Sequence, residues 1–275
     1  MQYKVMTFNI QHGIDYLRSK AKRAELHRQM ETMSPEALNE FKAKMLQRTE
    51  DPTMIDLQLM ADVIKKEDPI LCALNEMRDI SPIDDPCFGP QAAILSEMTG
   101  LPYHYFGKAI DLGERGPYGN AFISKYPIIS AETIAIPDPE VKDEDAYYES
   151  RCLIKAKLAL PEGKVLTLMV THMGLAKAEA RNAVACVLEN LPENEPALAM
   201  GDFNLTPDSE ILQPLNEKMQ SATDLLPEGT CTFPSDGPNI KIDHIYAHGP
   251  IRLVSAAVPE AVASDHRPHT AIIEV

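Results

Sequence analysis

The chain has 275 residues, of which 44% are hydrophobic and 24% are charged, a composition typical of a globular protein with a large core. Its formal net charge is −15. A protein that binds a long phosphate backbone usually carries a basic face, so this charge disfavours nucleic acid as a partner without excluding it. The acidic balance suits a protein that concentrates divalent cations.

Cysteine usage and the N-terminal sequence point to the compartment. The five cysteines are widely spaced and form no CxxC pair, which is typical of buried or idle thiols in a reducing compartment rather than of a disulfide framework or zinc knuckle: Cys72, Cys87, Cys152, Cys186 and Cys231. The first residues show no signal-peptide pattern, and no segment has the length of a membrane span. We therefore expect a cytoplasmic protein.

Segments rich in β-branched residues, several with apolar and polar residues in alternation, predict strands near 3–9, 70–75, 119–124, 151–160, 164–171, 197–201, 242–247, 251–258 and 269–274. Pro161-Glu-Gly163 lies between two of them and predicts a hairpin. No linker or repeat divides the chain, so we expect 1–275 to form a single domain.

Helical spacing predicts helices near 54–67, 90–99, 175–190 and 209–219. Thr53 is the candidate N-cap of the first, with Asp56 three residues on. Because strands occur in runs and helices on separate stretches, the pattern favours an α/β (α+β) fold with two sheets packed face to face and helices outside.

Residues 15–50 predict two polar helices divided at Ser34-Pro35, where Ser34 can cap and Pro35 fits the first helical position. Eight Lys or Arg oppose six Asp or Glu here, so this segment is slightly basic within an acidic chain. It is either a solvated surface hairpin or a lid that sets specificity, since it begins six residues after Asn9.

Polar residues stand at the ends of several predicted strands: Asn9, Glu76, Asn120, His172, Asp202 and Asn204. Strand ends at one edge of a sheet can converge on a single mouth. In Gly201-Asp-Phe-Asn204, an extended chain would place Asp202 and Asn204 on one side and Phe203 in the core.

The C-terminal part contains a second pair of polar residues. Asp243 lies between Ile242 and Ile245, where a carboxylate is costly to bury without a partner. His266, in Ser264-Asp-His266, is a suitable partner, because a carboxylate orients and charges an imidazole for acid–base work.

Taken in order, these words resemble those of the endonuclease/exonuclease/phosphatase superfamily: Thr-Phe-Asn9, Leu-Asn-Glu76, Gly-Asn120-Ala, Thr-His172, Gly-Asp202-Phe-Asn204, Ile-Asp243-His-Ile and Ser-Asp265-His266. They span residues 7 to 266, nearly the whole chain. The resemblance implies a DNase I-like four-layer α/β/β/α sandwich of two mainly antiparallel sheets, and a requirement for Mg²⁺ or Mn²⁺.

The resemblance also implies roles. Glu76 matches the principal metal carboxylate, with Asn9 and Asp265 close to the metal or its waters. Asp202 matches the residue that orients or deprotonates the attacking water, and Asn204 supports the phosphate. His172 and His266 match two histidines that stabilise charge or protonate the leaving oxygen, and Asp243 holds His266. Asn120 matches a residue that contacts the phosphate. Arg151 is a less specific candidate for the same contact.

Two departures bear on the substrate. Asn75 stands where a glutamine is usual, a small change that leaves the metal role of Glu76 intact, and the 15–50 stretch is longer than the usual loop. Phe233 could line the pocket or anchor a loop.

We expect a metal-dependent phosphoesterase acting on a phosphomonoester or phosphodiester of a small molecule or lipid headgroup. The alternative is a Mg²⁺-dependent nuclease acting on DNA or RNA, for which the 15–50 hairpin would supply the basic rim. A binding module without catalysis is disfavoured because every expected catalytic position is filled. The sequence does not define the oligomeric state.

Overall fold

A computed structural model describes residues 1–46, 52–80, 89–113, 116–142 and 145–275. Among these residues it has twelve strands: β1 Gln2–Asn9, β2 Leu71–Arg78, β3 Tyr103–Asp111, β4 Pro117–Ser124, β5 Ile128–Ala135, β6 Cys152–Ala159, β7 Val165–Thr171, β8 Ala197–Asp202, β9 Gln220–Ser221, β10 Asp243–His248, β11 Arg252–Ala257 and β12 His269–Glu274. The described α-helices are α1 Tyr16–Glu31, α2 Pro35–Leu46, α3 Leu57–Glu67, α4 Gln91–Thr99, α5 Lys177–Glu189 and α6 Gln213–Asn216.

The strands form two six-stranded sheets. The first has the order β11-β12-β1-β2-β4-β3 and the second the order β5-β6-β7-β8-β10-β9. Each sheet has one parallel pair, β1 with β2 and β7 with β8, and its other pairs are antiparallel. The chain between the partners of each parallel pair contains helices, as a crossover connection requires.

The central strands are buried on both faces, which fixes the layer order. In β7, Leu168 and Val170 belong to the core between the sheets, whereas Met169 points to the core shared with α5. In β1, Val5 lies between the sheets and Phe8 packs toward α3 and α4. The result is the predicted four-layer α/β/β/α sandwich with mainly antiparallel sheets.

Three strands were not predicted, namely β3, β5 and β9, and all three lie at a sheet edge. An edge strand has one unpaired side and needs less apolar alternation, so its sequence carries a weaker signal. In β5, the burial pattern alternates little, and Ile129 is 55% exposed.

Two helix predictions need correction. The helix predicted at 54–67 begins at Leu57, and its N-cap is Asp56, whose carboxylate accepts from Gln58 N, rather than Thr53. The stretch predicted as one helix at 209–219 is a 3-10 turn, Glu210–Leu212, followed by the four-residue α6. Pro214 removes a backbone donor there, and the chain must turn into β9 at Gln220.

The predicted helical hairpin is present as α1 and α2 over the described part of 15–50; residues 47–50 lie outside the described range. Asp15 caps α1 by accepting from Arg18 N, and Ser34 Oγ accepts from Ala37 N at the start of α2. Tyr16 is buried at the base of the hairpin. Most other α1 side chains are exposed, and Tyr16 in the first turn is the buried residue of this helix.

Among the described residues, no helix combines the length and apolar content that crossing a bilayer requires. The four described cysteines are free thiols, in agreement with the prediction, and Cys87 lies outside the described residues.

Candidate active site

The predicted site residues meet at one end of the sandwich, where the two parallel pairs end. Asn9 is the last residue of β1 and is the register partner of Asn75 in β2. In the other sheet, His172 directly follows β7 and Asp202 ends β8. The loop before β12 adds Asp265 and His266 from the first sheet's side. Both sheets therefore contribute to one mouth.

A β-bulge turns Glu76 toward this mouth. The pairing of β2 with β4 shifts register between Leu74 and Met77, and Glu76 has a left-handed backbone with φ 58°. Such a conformation is uncommon and costly for a residue with a side chain, and it is found where a strand re-aims a functional group. The prediction that β2 stops at Glu76 is thus wrong, because the strand continues to Arg78 beyond the bulge.

The turn after β8 explains the pairing of Asp202 with Asn204. Asn204 has φ 53°, and its backbone N donates to Asp202 Oδ1 at 2.9 Å. The two side chains face one place because of this turn, and not because of the extended chain that we predicted. Phe203 is fully buried, as predicted, and stacks on Tyr246. A Cβ on Gly201 would lie 1.8 Å from the carbonyl oxygen of Thr171, so only glycine fits there.

Asn75 connects the two sheets beneath the site. Its Nδ2 donates to Asn120 Oδ1 at 2.8 Å and to the Thr171 carbonyl at 3.1 Å, while its Oδ1 accepts from Asp202 N at 2.9 Å. Asn120 in turn donates to the Cys152 carbonyl. Asn120 is 2% exposed, so its amide is engaged in this buried network rather than at the cavity surface.

Glu76 and Asp265 form the acidic wall of the mouth. Burial and the neighbouring Asp265 raise the pKa of Glu76 to about 7, and burial also raises the pKa of Asp265. Asn9 Nδ2 donates to Glu76 Oε1 at 3.1 Å and to Asp202 Oδ2 at 3.0 Å, which joins this wall to the opposite one. Gln11 Nε2 donates to Asp265 Oδ2 at 2.8 Å.

Asp202, Asp243 and His266 form the opposite wall. Asp202 and Asp243 are direct register partners on β8 and β10, a placement that is unfavourable for two carboxylates without a cation between them. His266 supplies it: Nδ1 donates to Asp243 Oδ2 at 3.0 Å, and Nε2 lies 3.6 Å from Asp202 Oδ2. The predicted contact of His266 with Asp243 is confirmed.

The charges of these three groups depend on one another. Burial alone would lower the pKa of His266, but Asp243 and Asp202 outweigh it and raise that pKa to about 10. Burial raises the pKa of Asp202 to about 6, against the lowering influence of His266. Burial raises the pKa of Asp243 as well, but His266 reverses this and holds it below its ordinary value. At neutral pH the imidazole is therefore a cation between two anions.

His172 lies on the third side of Asp202 and is neutral. Its Nε2 is 3.6 Å from Asp202 Oδ2 and 3.0 Å from Asn204 Nδ2. Arg151 Nη1 donates to its Nδ1 at 3.1 Å, and Glu149 pairs with Arg151 at 2.9 Å. Burial, and next the Arg151 charge, hold the pKa of His172 well below its usual range.

These groups surround a cavity of about 520 Å³. Seven of the ten predicted site residues line it: Glu76, Arg151, His172, Asp202, Asn204, Asp265 and His266. The other three, Asn9, Asn120 and Asp243, are at most 2% exposed and lie behind its surface. Phe233 lines the cavity with its ring centroid 4.9 Å from that of His266, which favours the pocket alternative for this residue.

Sequence reasoning missed four residues that hold these groups. Gln11 and His12 follow Asn9 in the same word, and His12 Nε2 lies 3.8 Å from Glu76 Oε2. Glu149 precedes Arg151 by two residues, a spacing that places both on one side of an extended chain. Asn75 was noted only as a departure from the family word, although its position beside Glu76 was the available signal.

Comparison with known proteins agrees with this geometry. The sequence model of the Endonuclease/Exonuclease/phosphatase family matches residues 175–266, which include His266 and the Asp202–Asn204 turn. In this C-terminal third the chain is similar to the endonuclease/exonuclease/phosphatase superfamily. Members of this superfamily are hydrolases that act on phosphate esters.

Individual relatives and solved structures share 30% or less of their sequence with this chain. The chain is 30% identical over 178 residues to the uncharacterized protein YbhP of Escherichia coli K12, a match that spans 58% of this chain and 64% of YbhP. The fold resembles a superfamily protein from Bacteroides vulgatus, with a TM-score of 0.70 and 19% identity over 100% of this chain and 99% of that one. It also resembles a mannosyl-6-phosphatase of Bacteroides thetaiotaomicron, with a TM-score of 0.68 and 15% identity over 99% and 100%.

The superfamily generally depends on a divalent metal, and the residues present fit one. Glu76 and Asp265 are two partly buried carboxylates, and the charge of Asp265 raises the pKa of Glu76, which is the condition that a hard cation relieves. Ligand atoms of Asp202, Asp243 and His266 also lie within 4.8 Å of one another. We favour the first pair, because the charge of His266 already satisfies the second group and a protonated imidazole cannot ligate a metal.

Proposed function

We propose that this protein is a metal-dependent phosphoesterase that hydrolyses a phosphomonoester or phosphodiester of a small molecule or lipid headgroup by attack of an activated water. The observation that carries the proposal is the position of Asp202. Its Oδ2 lies 3.0 Å from the Asn9 amide and 3.6 Å from both His172 and His266, at the wall of a cavity whose other wall is Glu76 and Asp265.

In this proposal Glu76 and Asp265 hold a Mg²⁺ or Mn²⁺ ion, with Asn9 beside them. When bound, the cation would neutralise charge on the phosphoryl oxygens. Asn9 would keep Glu76 in place through the hydrogen bond from Nδ2 to Oε1. Gln11 would do the same for Asp265.

Asp202 would accept a proton from the water that attacks phosphorus. Its pKa of about 6 leaves it ionised at neutral pH, yet basic enough to take the proton as the new P–O bond forms. Asn75 fixes its backbone, and Asn204 N and Asn9 Nδ2 fix its carboxylate.

His266 would donate the proton that the leaving oxygen needs as the ester P–O bond breaks. Nδ1 is held by Asp243, so Nε2–H is the available donor and faces Asp202 across the cavity wall. A full cycle would return the proton from Asp202 to His266, which lie within 3.6 Å of each other.

The phosphate would be bound by groups that remain uncharged or paired. Asn204 and the neutral His172 adjoin Asp202, and Arg151 lines the cavity next to His172. Asn120 would act on the phosphate only by way of Asn75, since its own amide is buried.

The substrate class rests on the charge of the cavity wall. Among the described residues that line it, the cationic ones are Arg151 and His266, and Arg151 is already paired with Glu149. None of the described α1 or α2 side chains lines the cavity. The basic rim that a nuclease needs therefore has no support here, which favours a small or lipid substrate.

The experiment is an assay of the purified chain with Mg²⁺ or Mn²⁺ against sugar phosphates, inositol phosphates, bis-p-nitrophenyl phosphate, sphingomyelin, RNA and plasmid DNA. Sugar phosphates are included because a structural neighbour is a mannosyl-6-phosphatase. We expect turnover of a small or lipid ester that EDTA abolishes, and that Asp202→Asn abolishes in a parallel preparation.

Preferred cleavage of RNA or DNA would replace the proposed substrate class with the nuclease alternative. No turnover of any ester, or turnover that persists in EDTA or in Asp202→Asn, would overturn the proposal.

A further inference from the structure

Large exposed hydrophobic side chains gather at the catalytic cavity. Nine such residues occur in the described part of the chain, and three of them line this one cavity: Tyr147, Leu175 and Ile240. Their exposed fractions are 61%, 63% and 40%. Single exposed hydrophobic residues are ordinary, but a group around one concave site marks a binding surface.

The three residues come from separate parts of the chain. Tyr147 lies in the loop before β6, Leu175 between β7 and α5, and Ile240 in the loop before β10. The fold brings these three residues together, because they are far apart in the sequence. Phe233 and Ile242 continue the same surface inward, and Phe233 reaches the ring of His266. We call Tyr147, Leu175 and Ile240 the apolar rim.

The acidic and basic groups assigned to the reaction lie where the strands end. Glu76, Asp202, Asp265 and His266 are at the end where the sheets meet, and no lysine is among the described lining residues. The lining arginine, Arg151, is already paired with Glu149, so a second phosphate beside the rim would find no unpaired lysine or arginine among these described residues. A hydrocarbon group in the same place would remove the rim from water.

We propose that the group esterified to the scissile phosphate is a hydrocarbon, either alkyl or aryl, and that it lies on the apolar rim. This inference rests on the proposed function for the identity of the reaction, but it concerns binding that can be measured without turnover. A water-soluble alkyl or aryl ester and the phosphoester of a membrane lipid share this chemistry.

The first test uses methyl-, butyl-, hexyl- and octylphosphonate, in which a P–C bond replaces the ester so that the ligand is not hydrolysed. Binding is measured by calorimetry with Mg²⁺ present. A methylene that leaves water completely tightens binding about fourfold. With half of that burial, octylphosphonate should bind about 10²-fold more tightly than methylphosphonate. The double variant Leu175→Ser/Ile240→Ser should reduce this ratio about tenfold.

Ile129→Ser is the matched control, because Ile129 is 55% exposed on β5 and does not line the cavity. It should leave the octyl-to-methyl ratio unchanged. Thermal unfolding checks that the rim variant is folded, which we expect since both of its side chains are exposed.

The second test measures hydrolysis of the corresponding alkyl phosphates and methyl alkyl phosphates. A chain-length gradient in binding with no hydrolysis of any ester would support the rim and overturn the proposed function. Hydrolysis of the esters without a chain-length gradient in binding would support the proposed function and overturn the rim. A gradient that survives Leu175→Ser/Ile240→Ser, or faster turnover of nucleotides than of octyl esters, would overturn the rim.

The source of the hydrocarbon is decided by presenting one long-chain ester as a dilute monomer and in phosphatidylcholine vesicles. Turnover of the monomer would support a soluble substrate, and turnover only in vesicles would support a lipid.

Discussion

The electrical charges on the two walls of the site are balanced in different ways. The wall of Asp202, Asp243 and His266 contains two anions and one cation, and each charge has a partner within 3.6 Å. The wall of Glu76 and Asp265 contains two carboxylates, and burial, followed by the charge of Asp265, raises the pKa of Glu76 to about 7. In the first wall His266 pairs with both carboxylates, whereas the second wall is where we propose that a divalent cation binds.

In the proposed function this difference separates two tasks that share one cavity, proton transfer and metal binding. The wall with His266 is preorganised to move protons, since its geometry is fixed by Asn75, Asn204 and the register of β8 with β10. In the proposed function the acidic wall binds the metal, because a cation beside these carboxylates favours their ionised form. A variant of one wall should therefore leave the task of the other intact.

The largest effect is expected from Glu76→Gln. Removing this charge should weaken Mn²⁺ binding, measured by electron paramagnetic resonance, and should lower kcat/KM about 10³-fold, since a bound cation contributes several kcal/mol to charge stabilisation. Glu195→Gln, which alters a carboxylate paired with Lys157 away from the site, is the control and should change neither quantity. Normal turnover in Glu76→Gln would refute the metal assignment.

His266→Gln should have the next largest effect. Loss of the proton donor should lower kcat about 10²-fold with little change in KM. Mn²⁺ affinity should stay close to that of the unaltered protein, because the ion belongs to the other wall. An equal loss of metal affinity in both variants would mean that the two walls act as one unit, and the comparison above would fail.

The fold was accessible from sequence because its central strands carry strong signals. Strands such as β7, buried on both faces, read as continuous apolar segments. The edge strands β3 and β5 lacked that signal. The expectation that residues 1–275 form a single domain stays a prediction.

Less of the site than of the fold could be predicted from the sequence. Asn9, Asp202 and His266 could be predicted as neighbours because each closes a strand or precedes one, and Glu76 because it follows the apolar part of β2. The bulge that turns Glu76 could not, since a left-handed φ at a glutamate is imposed by tertiary pairing and not by local preference. Nor could the burial of Asn120, which depends on Asn75 from another strand.

The pH dependence should separate the walls again. Asp202 must be ionised, so kcat/KM at saturating metal should rise as pH increases through about 6. His266 must be protonated, so activity should fall as pH approaches about 10, and His266→Gln should lack this alkaline decrease. Mn²⁺ affinity should weaken about tenfold per unit below pH 7, where Glu76 takes up a proton. Affinity that is constant from pH 5 to 8 would contradict the assignment of Glu76.

The smallest effect is expected where one loop supports both walls. Ser235 N donates to the Asp265 carbonyl at 2.7 Å, and Phe233 packs on His266. Asp236 in this loop accepts from Tyr16 Oη at 2.9 Å and from Lys20 of α1. The helical hairpin is thus attached to the loop that positions Asp265 and His266.

Asp236→Asn and Tyr16→Phe should each lower kcat about threefold, in keeping with the small net energy of one hydrogen bond. Both should weaken Mn²⁺ affinity by a similar factor, because the loop contacts both walls. Asp62→Asn, on the exposed face of α3, is the control and should change neither quantity. A change in kcat without a change in metal affinity would mean that the hairpin acts through Phe233 and His266 alone. If neither variant differed from the unaltered protein, the hairpin would be a solvated surface feature, and the lid interpretation of residues 15–50 would be wrong.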